Sequence, residues 1–176
     1  MGGTNAQLPV GLQVSPSGHN DFPRRVIERI NSFSFDCEAI LTAGDGVGVG
    51  KVVHYATGKF DCHQRVYCIH SFPAHTHGRF LYYYFKENFG RRVAGMSAKN
   101  SVDSVRMNMI FDMPVPCPPR AEQVAIARVL EDADSAIERE AAELAKLHQL
   151  KSGLMTDLLA GRVRVPQDPY IKINQP

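Results

Sequence analysis

Cys62, His63, Cys68, His70, His75 and His77 crowd into residues 62–77, and thiolate with imidazole is the donor set that zinc favours. Their spacing fits no tetrahedral zinc pattern. On a strand, Cys62, Cys68 and His70 share one face while His63 lies on the other, so partly exposed histidines are the simpler reading. A catalytic Cys–His pair is weaker still. No Ser–His–Asp arrangement, paired carboxylates, methyltransferase motif or nuclease motif accompanies these residues. The expectation is a chain with no catalytic residues, no metal and no cofactor of its own: not an enzyme.

A second set could bind phosphate. Gly44, Gly46, Gly48 and Gly50 alternate through Ala43-Gly44-Asp45-Gly46-Val47-Gly48-Val49-Gly50-Lys51. The Walker pattern needs glycine where Asp45 stands and Ser or Thr where Val52 stands. The dinucleotide fingerprint fails at Val49 when started from Gly44, and at Lys51 when started from Gly46. Both motifs open a helix, whereas β-branched Val52-Val53 favours a strand. Nucleotide binding is therefore rejected. Gly46 and Gly48 are expected to hold backbone that a side chain would obstruct.

The third set is basic. Arg79, Lys86, Arg91, Arg92, Lys99 and Arg106 stand against Glu87 and Asp103 between residues 79 and 106, a local balance of +4. Residues 91–101, Arg91-Arg92-Val93-Ala94-Gly95-Met96-Ser97-Ala98-Lys99-Asn100-Ser101, read as a small, polar, basic loop. That composition suits phosphates and base edges; a solvated loop is the bland alternative.

The elements that must carry these residues follow from patterning. Ala39–Thr42, Lys51–Tyr55 and Arg65–Ile69 are strand candidates. Residues 78–90 read as a helix, with Leu81, Tyr84, Phe85 and Asn88 on one side and Gly90 as its stop. The run Phe80-Leu81-Tyr82-Tyr83-Tyr84-Phe85 is mostly core, with Tyr82 or Tyr83 facing out. Residues 1–22, rich in Gly, Pro, Ser and Asn, form an extended or flexible segment. Val26, Ile27 and Ile30 could share a helix face.

From Ala121 to Leu159 there is no proline, and good helix formers dominate. Ile126, Leu130, Ala133, Ile137, Leu144, Leu147, Leu154 and Leu158 recur at spacings of three and four. Roughly 39 residues at ~1.5 Å each make a rod of ~58 Å. A stripe that long needs a second helix, though packing on the chain's own domain is the plainer possibility. Gly161 falls where a C-cap belongs.

The chain has 176 residues, is 44% hydrophobic and carries a net charge of +2, enough for one globular domain plus the rod. That charge alone is no nucleic-acid signature. There is no apolar run of membrane-spanning length and no signal-peptide pattern. Cys37, Cys62, Cys68 and Cys117 form no obvious framework, so free thiols in a reducing cytoplasm are expected.

The tail carries a resemblance. Met113-Pro114-Val115-Pro116-Cys117-Pro118-Pro119-Arg120-Ala121-Glu122-Gln123, then Ile126, Ala127, Leu130, Asp134, Ile137, Leu147, Leu150, Lys151, Leu154, Met155, Leu158, Leu159 and Gly161, resemble the specificity (S) subunits of type I restriction–modification systems. Ile40–Gly46 with Gly50-Lys51-Val52 resembles the glycine-rich loop of their target-recognition domains, and Phe60–Val66 the next strand, with Gln64 at a recurrent glutamine. The resemblance starts near Val10, and it implies extended chain rather than a helix around Val26, Ile27 and Ile30. It covers one domain and one helix where a full S subunit has two of each, which implies a half-size subunit or a C-terminal part.

The resemblance implies an α+β fold: an N-terminal segment at 1–22, a β-rich target-recognition domain at 23–119, a long coiled-coil-type spacer helix at 120–160 and a tail at 161–176. It implies a cytoplasmic, non-catalytic subunit that recognises part of a double-stranded DNA target and docks methyltransferase subunits, with restriction subunits as further partners. S-adenosylmethionine would belong to the methyltransferase. Asp45, Lys51, Arg91, Arg92, Lys99 and Asn100 are the expected DNA-binding residues. Leu130, Ile137, Leu144, Leu147, Leu154 and Leu158 are expected to pair two copies through antiparallel helices. The alternative is a coiled-coil assembly protein whose degenerate domain no longer binds DNA; a zinc-dependent enzyme is a third, disfavoured by spacing.

Overall fold

The computed structural model describes residues 5–7, 13–16, 33–62, 65–96 and 104–164. The fold is α+β. By contacts the chain forms two units, Met1–Leu130 and Glu131–Pro176.

The first unit is built on a four-stranded antiparallel sheet. Its strands are β2 (Gln13–Pro16), β4 (Ala39–Ala43), β5 (Val53–Ala56) and β7 (Val66–His70), in the order β2-β7-β4-β5. All three strand candidates are present, each within two residues of its expected start. The inner strand β4 buries Ala39, Ile40, Thr42 and Ala43; β7 and β5 cover both its edges. It pairs Ile40 with Ile69 and with Tyr55.

Two short ribbons complete the β structure. β1 (Asn5–Gln7) pairs with β8 (Pro114–Pro116), and β3 (Phe35–Asp36) with β6 (Lys59–Phe60). β1 and β2 fall within the segment expected to be extended. The helix-or-extended choice for Val26, Ile27 and Ile30 lies outside the described residues.

One face of the sheet packs on α1 (Gly78–Met96). Leu81, Phe85, Phe89 and Val93, four residues apart and so on one helix face, join Ile40, Val53 and Ile69 in the core. Phe85 and Phe89 stack at 4.3 Å. Tyr82 is buried, while Tyr83 and Tyr84 are half-buried, so the aromatic run is mostly core. The short helix α2 (Met107–Phe111) and β8 close the cluster with Met109, Ile110, Met113 and Val115.

α1 does not stop at Gly90. It continues to Met96, so Gly90 is not a cap. A Cβ there would stand 2.5 Å from the Gly50 carbonyl oxygen. The glycine makes room for a neighbouring chain rather than ending the helix.

α3 runs from Arg120 to Leu159, 40 residues, about 60 Å at ~1.5 Å per residue. Its first turn belongs to the first unit, where Gln123 is almost fully buried. The Gln123 amide nitrogen donates to the carbonyls of His75 (3.0 Å) and Pro118 (2.8 Å), and its oxygen accepts from the His77 N–H (2.8 Å). Arg120 adds a bond to the Thr76 carbonyl at 2.6 Å. At the other end Gly161 adopts φ +67°, and the N–H groups of Gly161 and Arg162 bond the carbonyls of Leu158 and Asp157. The expected C-cap is there. Among the described residues no helix is long and apolar enough to cross a membrane.

Candidate nucleic-acid interface

The glycine-rich loop leaves β4, makes a 3₁₀ turn at Gly46–Gly48 and returns as β5. A strand, not a helix, follows it, so the geometry that phosphate loops share is missing. The turn is tied down. Val49 N–H donates to the Gly46 carbonyl at 3.2 Å and Val52 N–H to the Gly48 carbonyl at 2.9 Å. A Cβ on Gly48 would meet Ala43 at 3.1 Å and Val52 at 3.2 Å, as expected, whereas a Cβ on Gly46 would meet nothing within 4 Å; that glycine is needed for its φ of +74°, not for space.

Three stretches distant in sequence meet at this end of the sheet. Gly44 N–H donates to the Arg65 carbonyl at 2.6 Å, and Val105 N–H to the Gly44 carbonyl at 2.7 Å. Asp45 bridges to Ser104 in antiparallel sense. The Tyr67 hydroxyl donates to the Val105 carbonyl at 3.1 Å. The side chains there are mostly hydrophilic: Asp45 pairs with Arg65 at 3.5 Å, and Lys51, Ser104 and Arg106 are exposed.

Of the expected DNA-binding residues, Asp45 and Lys51 lie on this loop. Arg91 and Arg92 were expected in a loop and lie on α1 instead. Arg91 pairs with Glu87 at 2.5 Å, one turn away. Arg92 is half-buried, and its Nε donates to the Met109 carbonyl at 2.7 Å, fastening α2 to α1. The contact of Gly50 with Gly90 sets this part of α1 against the glycine loop, so the two stretches meet. Lys99 and Asn100 lie outside the described residues.

Arg65 and Val47 were not singled out by sequence. Arg65 opens a strand candidate, and nothing local says that it faces Asp45. Val47 reads as ordinary loop apolarity, yet it is 89% exposed at the tip of the turn. A cation–aromatic cluster was missed as well: Arg79 lies 4.0 Å from the Tyr55 ring centroid and Lys86 5.5 Å from that of Tyr82.

The cysteine and histidine run divides. His75 and His77 lie in the loop that Gln123 binds through backbone groups. Cys62 follows β6 and is not on the strand that carries Cys68 and His70, although its side chain hydrogen-bonds that of Cys68. That bond, followed by burial, holds the Cys68 thiol well above its usual range. Burial, then Asp36, raises Cys37. Burial lowers His70, whose Nδ1 meets the Ser71 hydroxyl at 2.9 Å while buried Nε2 has no partner among the described residues. Phe35 stacks on Phe60 and meets the His70 ring edge-on at 5.8 Å. All four cysteines are free. Among the described residues no group of three or more His, Cys, Asp or Glu side chains is placed to hold a metal.

On α3, Leu130, Ile137, Leu144, Leu147, Leu154 and Leu158 are all exposed in the single chain. Leu147, Leu150, Leu154 and Leu158 lie together on one side of α3.

Residues 14–149 match the family described as the type I restriction modification DNA specificity domain. A curated relative, the type I restriction enzyme EcoDI specificity subunit of Escherichia coli, is 30% identical over 124 residues, covering 70% of this chain and 27% of the relative. The chain thus spans about a quarter of that relative's length. The crystal structure of a type I restriction–modification system S subunit from M. genitalium superposes with a TM-score of 0.67 at 18% identity, over 88% of this chain and 45% of that one. The HsdS subunit from Thermoanaerobacter tengcongensis superposes with a TM-score of 0.51 at 14% identity, over 86% of this chain and 46% of that one. These two likenesses concern the fold.

Proposed function

Because this chain belongs to the family of type I restriction–modification DNA specificity domains, we propose that it recognises part of a double-stranded DNA target and docks methyltransferase subunits, through which restriction subunits join. It supplies specificity and leaves the chemistry to its partners. The organisation at 1–22, 23–119, 120–160 and 161–176 is part of the same proposal, as is a cytoplasmic setting.

The observation that carries the reading is the convergence of the glycine loop, the Arg65 turn and residues 104–106 at one end of the sheet. Loops gathered on a rigid scaffold are where recognition residues belong. Asp45, Lys51, Arg91, Lys99 and Asn100 are its proposed DNA-binding residues, while Arg92 fastens α2 to α1. The exposed leucine stripe of α3 supports pairing with a second copy.

The test is co-expression with the methyltransferase subunit, then co-purification and mapping of modified sites. The expected result is a stable complex that methylates one sequence class. A chain that pairs through α3 but shows no salt-dependent shift with duplex DNA is instead an assembly protein with a degenerate domain.

A further inference from the structure

The glycine loop holds an acid where a DNA-facing surface should be basic. Asp45 would repel phosphate, yet its carboxylate is paired with Arg65 Nε at 3.5 Å. Both backbones are fixed. Asp45 is bridged to Ser104, and the Arg65 carbonyl accepts the Gly44 N–H at 2.6 Å. The Arg65 side chain is 63% exposed. An exposed ion pair of this kind adds little to fold stability. Its effect is to aim the guanidinium rather than to stabilise the fold. An aimed guanidinium matches the O6 and N7 acceptors of guanine in the major groove.

Val47 stands on the same loop, two residues from Asp45. A single exposed apolar side chain is commonplace. This one, however, sits at the tip of a turn bonded at both ends, so it has no route into the core. Gly46 and Gly48 flank it and add no side chains to its surroundings. A small branched apolar group projecting from the loop that carries Asp45 has one obvious counterpart on a base edge, the thymine methyl group.

We propose that Arg65, oriented by Asp45, reads a guanine, and that Val47 reads a thymine methyl, so that this end of the sheet determines part of the target sequence. The proposal rests on the DNA-recognition reading above and names the residues that give it specificity. Lys51 and Arg106, exposed on the same end, supply phosphate contacts without sequence preference.

The experiment uses the complex with its methyltransferase subunits and the target found by mapping modified sites. Duplex affinity is measured for wild type, R65A, R65K, D45N and V47A, on cognate duplexes, on single-base variants and on duplexes with one thymine replaced by deoxyuridine. R65A and R65K should both weaken cognate binding about 5- to 150-fold and flatten preference at one guanine, because lysine keeps the charge and loses the fork. D45N should lower that preference while raising scrambled-duplex affinity, because it removes a charge that repels phosphate. At one thymine, deoxyuridine should cost wild type ~4-fold, the worth of one buried methyl, and should cost V47A nothing.

Retained guanine preference in R65K, or an unchanged deoxyuridine penalty in V47A, overturns the assignment while leaving DNA recognition intact. A wild-type complex that binds no duplex overturns the recognition reading itself.

Discussion

Gly50 and Gly90 touch backbone to backbone. A Cβ on Gly90 would lie 2.5 Å from the Gly50 carbonyl oxygen, and one on Gly50 would lie 3.2 Å from the Gly90 Cα. The contact seats the glycine loop on the middle of α1. It therefore fixes the position of Asp45 and Lys51 relative to Arg91.

Replacing Gly90 with alanine tests that seat. In an exposed helix interior the change would stabilise by ~1 kcal/mol through helix propensity. Here the added methyl collides with backbone, which cannot rotate away. The expected net effect is a loss on the order of 1–3 kcal/mol, read by urea denaturation. A gain in stability would mean that loop and helix part easily.

Much of this fold was legible locally. β4, β5 and β7 announce themselves as apolar, β-branched or aromatic runs between polar or glycine-rich stretches. α3 shows its period, with Pro118-Pro119 before it and Gly161 after it. Gly90 misled because a glycine's local meaning is a stop, while its actual reason lies forty residues away in Gly50. That misreading also put Arg91 and Arg92 in a loop. The Arg65–Asp45 pair depends on strand order, which no local pattern encodes. Gln123 reads as an ordinary polar residue of a first helical turn, and only the loop at residues 75–77 reveals it as buried.

Gln123 fastens the start of α3 to that loop through two hydrogen bonds and to the Pro118 carbonyl through a third. Leucine at this position keeps the volume but strands the His77 N–H and two carbonyls. Q123L should cost about 1–3 kcal/mol for each group left without a bond. Q123E keeps the acceptor and places a carboxylate against two carbonyl oxygens, so it should be no better. Hydrogen exchange at His77 reads the effect directly; unchanged protection there would show that the loop holds without the glutamine.

Arg91 and Arg92 should separate in their effects. Arg92 secures α2 through the Met109 carbonyl, so R92A should lower stability. Arg91 is an exposed ion-pair partner of Glu87, and R91A should be close to neutral for stability. If Arg91 contacts a phosphate in the complex, R91A should reduce the salt slope of DNA binding by ~0.9. A steep loss of stability in R91A with none in R92A would reverse the two roles.

His70 gives the domain an acid-sensitive step. Its folded-state pKa is lowered by burial, so the unfolded chain takes up a proton at a higher pH than the folded chain. The contribution is fully present above the unfolded value of ~6.5 and is lost as pH falls from there towards the lowered folded value. Denaturation midpoints should therefore fall below about pH 6.5, and H70Q should be flatter across that window. An identical pH profile in H70Q would place the sensitivity elsewhere.

In the single chain Ile137, Leu144, Leu147 and Leu154 of α3 are about half exposed or more, an apolar row that water disfavours. Two copies packed antiparallel would bring the rows together. Burying these half-exposed side chains, four from each copy, contributes on the order of 6–12 kcal/mol, comparable to the ~4–15 kcal/mol that association costs. L144D/L147D places two carboxylates in that seam, and removing a charge from water into an apolar contact is far costlier than losing a methyl. The wild-type chain should run as a dimer in light scattering and the double variant as a monomer, with the first unit's denaturation midpoint unchanged because neither residue belongs to it. A wild-type chain that stays monomeric at high concentration would leave the stripe to a different partner, and would remove the dimer from the account of how this subunit assembles.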